Sequence, residues 1–298
     1  MVLTGIALAL TLAQAPAPRQ TAPQTDETVA VQRGARLNVN NFAGEVIVHT
    51  WDKDSVHIVA RHQPRTRVSV RPLSSSVAIS SSGYMGAPGS VDYDITAPAW
   101  MPIRIEGTYN FVTIEGAQAE VYASTVRGDV IVKGGSGVVT AKSVEGEVDV
   151  DGARGKINVS SVNEKIKITN TSGDINAESV NGGITMTGID SKSVDASTVN
   201  GTITFEGKLA DGGHYAFGTH NGDLALGIPE NSNATFTIRT YHGSVSTDFT
   251  LDGYNRGEAQ RGRRIVATLG NGSADVSLET FGGGIRLRKG SVARSHGR

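Results

Sequence analysis

Cysteine is absent from the 298-residue chain, which excludes disulfides, thiolate zinc sites and cysteine nucleophiles. Aromatic residues are scarce at 5%, and the charges cancel: 28 Lys and Arg against 29 Asp and Glu leave a formal net charge of -1. A binder of nucleic acid or another polyanion shows a basic excess or patch, so this balance gives such a role no support. Long helix-forming runs of Leu, Ala, Glu and Lys are missing too. What the chain has in excess is glycine, 37 residues, together with Ser, Thr, Asn and Val. That is the balance of a turn-rich β protein, and periodic apolar residues separate it from a disordered one.

The only long apolar run is near the start. Val2 to Leu12 is apolar and ends in the small-x-small triplet Ala13–Ala15, the form of a secretory leader and its cleavage site. The run is too short for a sound membrane span. Residues 1–15 are therefore expected as a signal peptide, with a disordered or anchoring end as the alternative. The Pro/Gln/Thr-rich residues 16–34 are expected as a flexible linker. An exported product would be periplasmic, attached to the cell surface or secreted, with no membrane span apart from the leader.

From "ARLNVNNFAGEVIVHTW" onward the period is two, and residues 35–98 read as short strands joined by turns. At about Met101 the pattern tightens into units of nine: "MPIRIEGTY", "NFVTIEGAQ", "AEVYASTVR", "GDVIVKGGS", "GVVTAKSVE", "GEVDVDGAR" and onward without a gap. The third and fifth positions are almost always Ile, Val, Ala or Met, as in Val130/Val132, Val148/Val150 and Ile166/Ile168. Val126, Val144, Val162 and Val180 mark the corner of every second unit, while Gly135, Ala153, Thr171 and Ile189 stand at the corners between. The true period is thus 18: one coil, two strands, two unequal corners.

Apolar i, i+2 pairs separated by glycine-rich gaps cannot form the stripe of a helix. Stacking explains the repetition instead. Coils about 4.8 Å apart pile equivalent residues into columns, and none buries its apolar face alone. The spacing predicts an all-β fold, a parallel β-helix or β-solenoid-like stack of short strands with about 18-residue coils, over residues 99–290. A polar tail follows at 291–298. Gly128, Gly146, Gly182 and Gly201 are expected to serve unusual backbone angles or a close approach, although Glu164 interrupts their column. Asn163, Asn181 and Asn200 are placed to ladder from coil to coil. Beyond Asn200 the spacing widens to roughly 20 residues, and the stack is expected to continue with longer coils to about Lys289, with Leu251 to Arg264 as a side loop.

The phrases "LNVNNFAGEVIVHTW", the repeated Ser/Thr-x-x-Gly-x-Ile/Val-x-Val, and "LGNGSADVSLETFGGGIRL" resemble the DUF4097 family of adhesin-like bacterial β-strand repeat proteins, over about residues 35–290. The resemblance implies a β-strand repeat fold and an adhesin-like role, and it carries no catalytic residues onto this chain.

An enzyme on a β-helix needs carboxylates clustered on adjacent coils. The outward column Asp129, Glu147, Lys165, Gly183, Thr202 and its neighbour Ile131, Asp149, Lys167, Thr185, Thr204 alternate acid, base and small polar residues. Solvated pairing across coils fits them better than a reaction centre. His49, His57 and His62 lie in the early strands, and His214, His220 and His242 in the wide coils, with His220 and His242 placed to stack one coil apart. No metal-binding spacing, nucleophile elbow or phosphate loop accompanies them. Of the aromatics, Tyr215, Phe217, Tyr241, Phe249, Tyr254 and Phe281 fill a widening core or line a binding patch, the core being the better reading.

No catalytic, cofactor-binding or metal residue and no cofactor is therefore assigned. The expected function is that of a non-enzymatic exported structural, adhesin-like or envelope-binding protein. A β-helix lyase or hydrolase acting on cell-surface glycans, and an envelope stress or regulatory protein binding a partner through the Leu251–Arg264 loop, are the alternatives. Partners would be an envelope glycan or protein, or a second copy through an open solenoid end.

Overall fold

The computed structural model describes residues 25–83, 86, 89–254 and 264–290. The expected leader, most of the linker, the middle of the 251–264 loop and the tail lie outside them. The described residues are all-β and contain no helix. In chain order the strands begin with β1 (Thr25–Ala30), β2 (Arg36–Trp51), β3 (Ser55–His62), β4 (Thr66–Leu73), β5 (Ser76–Gly83), β6 (Val91–Pro98) and β7 (Ile103–Ala117). The regular coils follow: β8 (Val121–Ser124), β9 (Val130–Gly134), β10 (Ser136–Ser143), β11 (Val148–Asp151), β12 (Arg154–Ser161), β13 (Ile166–Thr169) and β14 (Ser172–Ser179). The wider coils hold β15 (Ile184–Asn200), β16 (Ile203–Asn221), β17 (Leu224–Ile228), β18 (Ala234–Thr240), β19 (Val245–Thr247), β20 (Ile265–Leu269), β21 (Ala274–Thr280) and β22 (Ile285–Lys289).

Each regular coil contributes one strand to each of two sides, and the pairings between successive regular coils are parallel. Ser143 lies beside Ser161 and Ser161 beside Ser179 on one side, while Val148 lies beside Ile166 and Ile166 beside Ile184 on the other. The offset of 18 residues is the period of the sequence. Inward columns such as Val130, Val148, Ile166, Ile184 and Ile203 are buried along the stack. Opposite them Ala123, Ala141, Ala177 and Ala196 keep the core narrow, until Phe205, Tyr215 and Phe217 widen it in the longer coils. Burial pushes the Tyr93 and Tyr215 hydroxyls above the usual tyrosine range.

The corner after the Ser/Thr position is locked by hydrogen bonds. Ser143 Oγ donates to the Gly128 carbonyl at 2.9 Å, Thr198 to Gly182 and Thr219 to Gly201, each at 3.0 Å. These hydroxyls are buried, so each satisfies a carbonyl that would otherwise lack a partner. The glycine column beside them exists for close approach. A Cβ on Gly146 would stand 2.0 Å from the Gly128 carbonyl oxygen, although Gly146 itself has no left-handed φ. The left-handed requirement falls mainly on the other corner, at Gly152, Asn170 and Gly188 (φ 71, 50 and 69), which glycine and asparagine tolerate best.

Chain order and stacking order part company at both ends. β2 lies between the coil formed by β5 and β6 and the coil formed by β7. At the far end β21 and β22 sit between the coil of β16 and β17 and the coil of β18 and β19. The stack does continue with longer coils to Lys289, but the last coil in sequence is the penultimate one in space. This keeps the C-terminal coil off the exposed edge.

The ends of the stack are partly covered. β4 runs antiparallel on β5, β3 on β6, β1 on β3 and β20 on β18, which covers the parallel ladder except at β19. The covering strand β4 carries Arg67, Arg71 and Pro72, residues that discourage further strand pairing. Part of the expected linker also proves to be structure, since residues 25–30 form β1. Val29 and Ala30 pair with Val56 and Ser55, and Val29 packs against the core.

Candidate functional site

The second side of the stack presents its outward residues in straight columns, because in-register parallel pairing places equivalent residues side by side. Lys165 Nζ lies 3.7 Å from Glu147, Lys167 Nζ 3.0 Å from Asp149 and Lys133 Nζ 2.8 Å from Glu115. His49 Nδ1 reaches the other oxygen of Glu115 at 3.3 Å. The Lys133 hydrogen bond and charge hold the Glu115 carboxyl below its usual range and raise the Lys133 ammonium in turn. Each pair joins adjacent coils, as the alternation of acid and base in the sequence implies. Being exposed to water and screened by salt, each is a weak contact.

At the first corner the asparagines form the ladder expected of them. Asn181 Nδ2 donates to Asn163 Oδ1 at 3.0 Å, Asn200 to Asn181 at 3.0 Å and Asn221 to Asn200 at 2.9 Å. Below Asn163 the column continues as the Arg127–Glu145 ion pair. A different asparagine lock, invisible as a motif, closes the early coils. Asn41 and Asn110 are buried, Asn41 Nδ2 donates to Asn110 Oδ1 at 2.7 Å, and Asn110 Nδ2 returns to the Asn41 carbonyl at 2.8 Å.

The histidines do not converge. His57 meets Asp26 at 2.9 Å, His214 meets Asp275 at 3.5 Å, and His49 belongs to the Glu115 pair. His220 and His242 are not stacked on each other, because the inserted coil puts Phe281 between them. The His220 ring lies parallel to Phe281 at 4.7 Å, and the His242 ring stands edge-on to it at 4.8 Å. Among the described residues, no three His, Asp or Glu side chains are grouped so as to hold a metal ion.

The aromatics divide. Tyr215 and Phe217 are in the core, Phe249 is nearly so, and Tyr254 packs against it. Tyr241 and Phe281 are about 40% exposed (39% and 40%). Their rings lie 5.4 Å apart, tilted by 37°, and Arg239 covers Tyr241 at 4.4 Å. With His220, Gly218, Thr219 and Glu279 they line a shallow depression. Phe281 lies parallel to the His220 ring, and Arg239 lies over the Tyr241 ring.

Those aromatics end a longer feature. The valines that recur at alternate corners point outward: Val126, Val144, Val180 and Val199 are 39–48% exposed, and Val162 is intermediate. Backbone bonds tie the column together, from Asn163 N to the Val144 carbonyl at 3.1 Å and from Asn181 N to the Val162 carbonyl at 2.7 Å. The column continues through His220 and Phe281 to Tyr241. The repetition of valine at these corners is plain in the sequence, but an apolar repeat in a stack is read by default as core.

Among the described residues, no helix is long and apolar enough to cross a membrane. A family described as Toastrack DUF4097 matches residues 105–288. No curated protein matches the chain. Among solved structures, a "putative cell adhesion protein" from Clostridium sporogenes is similar at 10% identity, over 89% of this chain and 99% of its own, with a TM-score of 0.21, too low to compare the two arrangements.

Proposed function

The chain belongs to the Toastrack DUF4097 family, and from that membership we infer that it is an exported, non-enzymatic protein of structural or adhesin-like character that binds a component of the cell envelope. The observation that carries this reading is the commitment of the outward side chains to one another. The carboxylates of Glu115, Glu145, Glu147 and Asp149 each face a cation of a neighbouring coil, so they act as rungs of a ladder. General acid and base work instead calls for carboxyls whose environments push their affinities for protons apart over a bound substrate. Long, regular flat sides offer surface for binding, as in other solenoids.

The periplasm, the cell surface or the medium is the compartment this role requires, and a glycan or protein of the envelope is the partner. The test is capture: the protein without residues 1–24, immobilised and exposed to envelope extract and to a glycan array, should retain at least one envelope component. Retention of none, or turnover of an envelope glycan by the purified protein, would overturn the reading.

A further inference from the structure

The outward valine column raises a separate question, since a soluble stack has no internal need for exposed apolar side chains at the same corner of coil after coil. A contiguous exposed apolar strip of several hundred Å² usually marks an interaction surface. We propose that this corner is the contact between two copies of the chain, packed side by side and antiparallel about a two-fold axis through Val162.

Over two coils on either side of Val162 the column is symmetric in residue type. Reversing it sets Val144 against Val180 and Val126 against Val199. One coil further out Thr108 meets His220, and beyond that Phe42 meets Phe281. A two-fold contact requires a patch of this self-complementary kind. The flanking columns agree. On one flank Ser124, Lys142, Ser160, Glu178 and Ser197 are in register on successive coils. The same reversal brings the exposed Lys142 of one copy to the exposed Glu178 of the other, twice over. Lys142 has no ion pair within its own chain among the described residues. On the other flank Glu145 meets Asn181, Arg127 meets Asn200 and Asn163 meets itself, so no like charges are opposed.

Coils about 4.8 Å apart give the strip from Phe42 to Phe281 a length of about 38 Å, and three columns a width of about 15 Å, on the order of 600 Å² per copy. That is the lower end of what specific interfaces bury, and it fits a reversible dimer. Self-association through this ridge is independent of what the flat sides bind.

The lack of cysteine makes the test clean. Val162→Cys in the full chain should form a disulfide-linked dimer under mild oxidation about tenfold faster than Val138→Cys, which is the more exposed position (41%) but lies on a flat side. Val126→Cys should link to Val199→Cys in a mixture, and neither should link to itself. The full-length protein should sediment as a dimer at about 100 µM, and Val162→Asp should weaken association at least about tenfold with no change in melting temperature. Glu178→Lys should weaken it as well, and Lys142→Glu in the same chain should restore it. A monomer at that concentration, equal rates at positions 162 and 138, or self-linking at 126, which signals a parallel arrangement, would each overturn the proposal. A monomer whose ridge becomes protected only in envelope extract would assign the ridge to a different protein and overturn it too.

Discussion

Thr240 Oγ1 donates to the Gly283 carbonyl at 3.0 Å across 43 residues of chain, the bond that Ser143 makes to Gly128 across 15. The corner lock is thus a property of spatial neighbours and survives the exchange of coil order at the end of the stack. Thr280 repeats it, donating to the Gly222 carbonyl at 3.0 Å.

Thr240→Val keeps the shape and removes the hydroxyl. It leaves the Gly283 carbonyl without a donor and the Gly243 N–H, now on Thr240 Oγ1 at 3.0 Å, without an acceptor. A loss of about 1–3 kcal/mol is expected, read from urea melts. Thr237→Val, on an outward half-buried position of the same strand, should change stability by less than about 0.5 kcal/mol.

Gly146→Ala tests close approach against backbone angle. Its Cβ would press on the Gly128 carbonyl, with no flexible side chain to give way, so the coils must part. Destabilisation of about 2–4 kcal/mol is expected. Gly218→Ala, with open space around it and no left-handed φ, should be close to neutral in the same thermal melts.

Ile166→Asp or Val148→Asp places a charge in a dry column with no partner. Loss of the cooperative transition in circular dichroism is expected. Asp149→Asn, outward and half-exposed beside Lys167, should shift stability by less than about 1 kcal/mol. If Asp149→Asn abolished binding while leaving the melt unchanged, Asp149 would belong to a site and not to a ladder.

Glu115 and Lys133 predict a small pH dependence with opposite signs. The depressed carboxyl contributes stability that is complete above its ordinary value near 4.5 and is lost as pH falls through the folded value. The raised ammonium contributes stability below 10.5 that is lost as pH rises through its folded value. Glu115→Gln should flatten both limbs of the melting temperature between pH 3 and 12 slightly, and leave the middle nearly unchanged.

The regular coils were legible because stacking in chain order repeats the same residues at one interval. Val148 over Ile166 is an offset of one period, and the cross-coil Lys–Glu pairs and the Asn163–Asn181–Asn200 ladder follow from it. The exchange of order at the ends was not legible, because a Thr-x-x-Gly corner fits above any other and carries no label for its neighbour. Phe281 therefore came between His220 and His242 unannounced. The outward direction of the corner valines was not legible for a related reason: periodicity gives the column but not which way a corner residue points. The Ser/Thr hydroxyls were visible as a repeated type, and their purpose appears only when the glycine carbonyl of the adjacent coil is in place.

The coil exchange is the most direct point of contact between the account and experiment, since it fixes which columns exist near the aromatic corner. Ser277 lies beside Ala216 on one side and Thr237 on the other, all three outward and half-buried. In this cysteine-free chain, Ala216→Cys with Ser277→Cys should form an intramolecular disulfide, detected as a mobility shift on a non-reducing gel. Ala216→Cys with Thr237→Cys, two coils apart at about 9.6 Å, should not. A disulfide between positions 216 and 237, with none between 216 and 277, would mean that the coils stack in chain order and would contradict the account.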